Sequence, residues 1–441
     1  MLALKTIFLF SLPALPLALL GVSFYVYLPK YLSDVYGISL TSLGTIILVS
    51  RVWDALLDPM MGHISDRTNS RWGRRKPWIG LSVIPLAVCS FLLYSLPTFL
   101  NPTTSVTILT LLFFVFWTMY AVPYEAWGAE LSSDYHERTK LLGSRDGMMM
   151  IGTFLASVIP VVFQWMNETK ITEFSKVDTQ SIINLMYGSL LVLCTAICLL
   201  GIKERSWEEE KRPFGSVFSN TLSVLKNKPF LVLLIAYTIG AFGATLPATL
   251  ILFYVESVLQ SERGSLFLMI YFLIGLGFLP FWIFLARRWD KKQAWLSAMA
   301  VNTISFIGVL FLSAGDELWF GILVACSALG YGGSLAIPSS MQADIIDVDE
   351  IEHGVRREGQ FIGLWSVSKK LSAALGAGIA LPILEISGYQ PGASQHATVL
   401  IVLAILYAGV PSACNLIAMA VALKYPINKN SFGELRGSGA L

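Results

Sequence analysis

Charge is what this sequence has least of. Of its 441 residues only 14% are Asp, Glu, Lys or Arg, while 55% are hydrophobic, whereas a soluble domain carries about 25% charged residues. That shortage excludes a soluble globular enzyme and points to a polytopic membrane protein. The net charge of +2 is spread over the loops, so no basic patch for nucleic acid is formed. There are five cysteines, all inside apolar runs, with no CxxC and no His/Cys metal spacing, which removes both a disulfide framework and a zinc site. No Gly-Lys pair occurs anywhere, so there is no P-loop for ATP, and HExxH and GxSxG are missing too. The four histidines, His63, His136, His353 and His396, fall at run ends or in loops, where solvated side chains are the simpler reading. No enzymatic site emerges and no prosthetic cofactor is called for. Any uphill work has to draw on an ion gradient.

Long apolar runs are what the sequence does have. Twelve of them, each near the roughly 20 residues that cross a hydrocarbon core of about 30 Å, lie at 7–29, 40–64, 77–97, 105–128, 144–166, 182–202, 229–255, 265–286, 294–313, 318–341, 360–386 and 397–423. The first is preceded by Lys5 and followed by no small-residue cleavage pattern, so it reads as a retained helix. Positive charge gathers in the connections after even-numbered runs: Arg67, Arg71, Arg74, Arg75 and Lys76, then Arg138 and Lys140, the Lys203–Lys228 cluster, Arg287 to Lys292, and Arg356 with Arg357. The positive-inside bias then places both termini and the central connection in the cytoplasm. Asn167-Glu-Thr169 on the outer side has the spacing of a glycosylation acceptor, a pattern too frequent by chance to carry an argument.

The only long polar connection divides the chain into a bundle at 1–202, a linker at 203–228, a bundle at 229–424 and a cytoplasmic tail at 425–441. Phe214, Val217, Phe218, Leu222 and Leu225 recur at helical spacing, so the linker is expected to lay an amphipathic helix on the cytoplasmic face. The halves echo each other about 215 residues apart: the segment from Pro123 is answered from Pro338, and GHISDRTNSRWGRRK by LARRWDKKQ. Weak repeats of this kind mark two-fold transporters, whose sites lie near the midplane. The expected fold is an all-α membrane protein of twelve transmembrane helices in two pseudo-symmetric six-helix bundles.

Within the second run, SRVWDALLDPMMG places Arg51, Asp54 and Asp58 on one helical face. Each charge at mid-bilayer costs about 2.5–3.5 kcal/mol even on the mild insertion scale. An Arg51–Asp54 ion pair holding the bundle together is one reading, but a salt bridge needs one carboxylate and here there are two. Stacked carboxylates repel unless a cation or proton lies between them, and their oxygens are hard ligands. The functional reading is a cation site.

SRVWDALLDPMMGHISDRTNSRWGRRKPW resembles the second helix and following loop of the melibiose-permease-like sodium:galactoside symporters, the glycoside-pentoside-hexuronide:cation symporters of the major facilitator superfamily. The resemblance continues through YLSDVYGIS, VPYEAWGAELSSDYHERTKLLGSR and DVDEIEHGVRREGQ. It implies the major facilitator fold and a secondary active transporter that couples Na+ or H+ to uptake of a small organic solute, a sugar or glycoside, by alternating access. Asp54, Asp58 and Thr118 match the family's cation residues, Lys370 its coupling lysine and Arg145, at the start of helix 5, its sugar-contacting arginine. Where the melibiose carrier clamps sugar hydroxyls with aspartates this sequence has Ala18 and Ala121, and Glu125 replaces a stacking tryptophan. A lysolipid or other amphiphile is therefore the alternative solute, as among other relatives of this fold. A non-transporting sensor or membrane enzyme is the outlier, lacking a nucleophile–base pair and a soluble domain.

Candidate lining residues are Tyr120, Tyr124, Glu125 and Trp127 in run 4 and Trp365, Lys369 and Lys370 in run 11, with Pro13, Pro16, Tyr25 and Tyr27 in run 1. Glu125 is expected either to touch substrate or to pair with Arg145 or Lys370. Asp66, Arg67, Arg74 and Arg75 read as a cytoplasmic gate. The glycines from Gly330 and Gly376 read as points of close helix approach. The expected surroundings are a lipid bilayer, a plasma membrane and, for a bacterium, its inner membrane, with a monomeric chain, no nucleic acid and no metal beyond a Na+ at Asp54, Asp58 and Thr118.

Overall fold

The computed structural model describes residues 3–68, 70–132, 135–169, 175–204, 222–353 and 357–427. Among them there is no strand, and the chain forms two compact units, one of Met1–Lys211 with Gln390–Ala393 and one of the remainder. The first unit holds helices α1 (Leu4–Tyr36), α2 (Leu40–Asp66), α3 (Lys76–Tyr94), α4 (Pro102–Glu130), α5 (Tyr135–Glu168) and α6 (Lys176–Gly201). The second holds α7 (Lys228–Ser257), α8 (Gly264–Arg288), α9 (Lys291–Val309), α10 (Glu317–His353), α11 (Glu358–Ile386) and α12 (Ala397–Ala422).

Eleven of these helices are long and apolar enough to cross a membrane. The exception is α9, which carries Lys291, Lys292 and Asn302. Its polar midpoint is satisfied inside the bundle: Asn302 donates to the carbonyl of Ser327 at 3.3 Å and accepts from Asn415 at 3.0 Å. Buried polar groups are tolerated when so paired.

Proline sets the local irregularities. In α1 the helix breaks at Leu12–Pro13 and passes through a π segment, Ser23–Tyr27, two residues ahead of Pro29. Likewise α12 has a π segment, Ile405–Gly409, two residues ahead of Pro411. A proline supplies no N–H and its ring crowds the carbonyl four residues back, and a widened turn relieves both.

Three expectations change. Run 5 begins at Tyr135 rather than 144, and run 10 continues to His353 rather than 341, because helical hydrogen bonding does not stop where apolarity does. Arg145 is consequently in the third turn of α5, not at its start. Of the expected linker helix, Phe214, Val217 and Phe218 lie outside the described residues, and Leu222–Lys226 is a short 3-10 turn whose Val224 is fully buried. The tail beyond residue 427 also lies outside them.

Close approach between helices rests on glycine. A Cβ on Gly152 of α5 would stand 2.2 Å from the carbonyl oxygen of Leu15 and 2.9 Å from Cβ of Ala18, and one on Gly376 would stand 1.9 Å from Oγ1 of Thr245. Ala18 is therefore at a helix crossing, where a longer side chain has no room.

Candidate functional site

Helix α2 carries its charges into the first bundle. Asp54 is fully buried. Its Oδ1 accepts from the Thr118 hydroxyl of α4 at 2.6 Å and its Oδ2 from Nη1 of Arg51 at 3.0 Å. The Arg51 guanidinium also lies 4.4 Å from the ring centroid of Tyr25 and 4.8 Å from that of Phe114, so two π faces share its charge. One turn on, half-buried Asp58 attracts Arg51 electrostatically. Pro59 follows it inside the helix and has no N–H for the carbonyl of Ala55. The Arg51–Asp54 ion pair and the hydrogen bond from Thr118 thus coexist on one carboxylate. Arg51 and the two carboxylates thus lie on successive turns of α2.

The other expected residues separate into two groups. Tyr120 and Tyr124 are buried; Tyr120 bonds Oγ1 of Thr195 on α6 at 2.7 Å, and Tyr124 donates to the carbonyl of Phe10 just before the break in α1. Trp127 is buried against Phe10. These rings tie α4 to α1 and α6 from within the bundle. Glu125, by contrast, is exposed, and its expected ion pair with Arg145 is not formed: Arg145 bonds its neighbour Asp146 through Nε at 3.0 Å and Nη2 at 2.8 Å. A carboxylate one residue away reaches the guanidinium first, and Glu125 acts on it only through space. In the second unit Trp365 stacks on Tyr237 at 4.0 Å between centroids, with Lys370 half-buried and Lys369 exposed on the same helix.

The charges flanking α2 and α3 form a lock inside the first bundle. Arg75 is buried and reaches Ser65 at 2.6 Å, Glu130 at 2.7 Å and Asp66. Arg74 shares the same Glu130 oxygen at 2.7 Å. Burial alone would lower the Arg75 pKa, but the hydrogen bond and charge of Glu130, with Asp66, raise it, keeping the guanidinium charged. Arg67 is exposed and makes no side-chain hydrogen bond or ion pair with another described residue. Glu130 and Glu204 were not anticipated. The Glu204 carboxylate accepts from the backbone N–H groups of Arg74 at 2.8 Å, Arg75 at 3.0 Å and Lys76 at 3.2 Å. It caps α3 with a side chain from beyond α6, supplying what the orphan donors of a helix start require. Gly73, at φ +102°, is needed there because a Cβ would lie 2.1 Å from Glu204. The only sequence trace of this cap is an acid between Lys203 and Arg205.

The second unit repeats the device. Lys291 at the start of α9 bonds Asp344 of α10 at 2.6 Å, and Lys292 donates to the carbonyls of Leu423 at 2.8 Å and Tyr425 at 3.0 Å. Lys76 in the first unit likewise donates to the carbonyls of Leu199 and Ile202. Nearby, buried Asp349 accepts from Arg357 at 2.8 Å and Asn227 at 3.2 Å. The hydrogen bonds of Asp349 hold the Arg357 pKa up. The two segments that resemble each other in sequence therefore make corresponding contacts.

Glu204→Ala is expected to cost on the order of 2 kcal/mol, since it leaves three donors without a charged acceptor at a half-buried position. The measurement is thermal unfolding in detergent, and an unshifted midpoint would mean that water caps α3 equally well.

A family profile described as MFS/sugar transport protein matches residues 9–429. The glucuronide carrier protein homolog of Escherichia coli (strain K12) is 24% identical over 415 residues, covering 93% of this chain and 89% of that one. The sodium-dependent lysophosphatidylcholine symporter 1 of Gallus gallus is 27% identical over 464 residues, covering 94% and 86%. Among solved structures, the D-xylose-proton symporter superposes with a TM-score of 0.70 at 10% identity, covering 96% of this chain and 98% of that one. The nucleoside transporter NupG gives 0.68 at 11%, covering 96% and 100%. These likenesses show the major facilitator fold, and with a profile that spans nearly all of it the chain belongs to the MFS/sugar transport protein family.

Proposed function

We propose that this integral membrane transporter couples Na+ or H+ to a small organic solute in symport, with Asp54, Asp58 and Thr118 as the cation residues. The observation that carries the reading is the buried Asp54 carboxylate, divided between Arg51 and Thr118 with Asp58 one turn away. Two carboxylates one turn apart supply the hard oxygen ligands that a small cation takes. In the absence of a cation Arg51 holds Asp54, and the rings of Tyr25 and Phe114 keep the guanidinium nearby when the carboxylate turns to the ion. Lys370 is the proposed coupler and Trp365, Glu125 and Arg145 the proposed solute-side groups. Tyr120 and Tyr124 are not retained there, because both hydroxyls are satisfied within the bundle. Asp66, Arg74 and Arg75 steady the cytoplasmic ends, Arg67 is dropped from that set, and both termini and the linker are cytoplasmic in a plasma membrane. The chain works as a monomer.

The solute is a sugar or glycoside, or alternatively an amphiphile such as a lysolipid. The relatives' names divide between these classes. Selective melibiose uptake is not expected. A site that binds a hydroxyl discriminates through buried groups that would otherwise go unpaired; Ala121 supplies none, and Ala18 is committed to the crossing with Gly152. Proteoliposome uptake of sugars, glycosides and lysolipids, with and without a sodium or proton gradient, tests the reading. Saturable micromolar melibiose uptake would refute the selectivity argument, and gradient-independent uptake of every solute would refute symport.

A further inference from the structure

Between the first three turns of α2 and the start of α4 lies a groove with a cavity of about 360 Å³, whose wall is mostly apolar, with Ile46, Val49 and Leu111 beside the hydroxyl side chains of Thr45, Ser50 and Thr107. Thr41 and Thr45 at its mouth are exposed, while Ser50 at its inner end is 1% exposed. The Ser50 hydroxyl makes no hydrogen bond. A buried hydroxyl without a partner costs free energy unless something else uses it. A helical serine ordinarily returns its proton to the carbonyl one turn back, as Thr45 does to Thr41 at 2.8 Å and Thr107 to Thr103 at 2.8 Å. Ser50 is one turn before Asp54 on the same helical face, so the groove ends one step from the buried carboxylate.

We infer that this groove is the entry path of the coupling cation and that Ser50 is a ligand on it, passing an alkali cation to Asp54. The inference rests on the cation site proposed above. Hydroxyl and carbonyl oxygens are the hard donors that such an ion accepts in exchange for water. The groove's lining is uncharged and mostly apolar, so the buried Ser50 hydroxyl is the oxygen an ion meets before the carboxylates. Its charged neighbour at the inner end is Arg51, which the rings of Tyr25 and Phe114 hold beside the path.

The test is sodium titrated alone into the purified protein, read by isothermal titration calorimetry. Ser50→Ala is expected to weaken sodium binding about fivefold, the scale of one lost neutral contact, and Ser50→Thr to restore it. With Thr107→Cys, modification by a cationic methanethiosulfonate should outpace the wild-type background and then block sodium binding. Unchanged binding in Ser50→Ala, or a modified Thr107→Cys that still binds sodium normally, overturns the path. So does a wild-type protein that binds no sodium. Asp58→Cys separates the two proposals: if it retains full sodium binding the cation site itself is wrong, whereas if it loses binding and Ser50→Ala does not, only the groove fails.

Discussion

Replacing Asp58 by cysteine or asparagine is expected to abolish gradient-driven accumulation while leaving solute binding and exchange partly intact. Arg51 already holds Asp54 through a contact of 3.0 Å, and Asp58, one turn on, is the second carboxylate that a cation is proposed to use. Without it, a cation would have to compete with a guanidinium for a fully buried carboxylate, and Arg51 has the better geometry. A potential of about 100 mV supplies about 2.3 kcal/mol per charge carried, or about a fiftyfold concentration ratio for a neutral solute. The variant should bring that ratio to about one. The measurement is accumulation in vesicles with an imposed gradient, alongside counterflow exchange. Accumulation that remains cation-dependent in the variant removes Asp58 from the site; loss of exchange as well would point to misfolding and call for the asparagine variant, which keeps the shape.

Lys370→Ala is expected to retain cation binding and lose the mutual enhancement between cation and solute. An ammonium within a membrane helix is costly unless it gives up its proton or finds an acidic partner. Lys370 is proposed to hold an acidic group when no cation is present. A cation that displaces Lys370 makes it available to an anionic or hydroxyl-bearing solute, so both ligands act on one group. Linkage then requires each to raise the other's affinity by the same factor, typically about 5- to 150-fold. In the variant that factor should fall to about one. Solute affinity measured with and without sodium decides it, and an undiminished ratio rules Lys370 out as coupler.

The contrast between Glu125 and Asp54 shows where reading along the chain runs out. Arg51 and Asp54 are neighbours because three residues on a helix bring side chains to one face, and that spacing is visible in the sequence. The pairing of Arg145 was ambiguous because it depends on which carboxylate arrives first, and Asp146 beside it does. Tyr120 and Tyr124 have the composition of a ligand platform, yet their hydroxyls meet Thr195 and the Phe10 carbonyl. Only the packing of α4 on α1 and α6 distinguishes a lining residue from a tie.

What the sequence by itself determined were properties set by transfer from water to lipid and by helical periodicity. These are the spanning helices, the family, and the placing of Arg51, Asp54 and Asp58 on one face. What only the tertiary structure decided were contacts between residues distant in the chain. They include the Thr118 hydroxyl on Asp54, Glu204 capping α3 from 128 to 130 residues away, the groove that ends on Ser50, and the crossing at which Gly152 leaves Ala18 no space. The physical reason is one of range. Hydropathy and i, i+3 or i, i+4 spacing act within a few turns of one helix, whereas the partner of a buried polar group is chosen by whichever helix the packing brings against it.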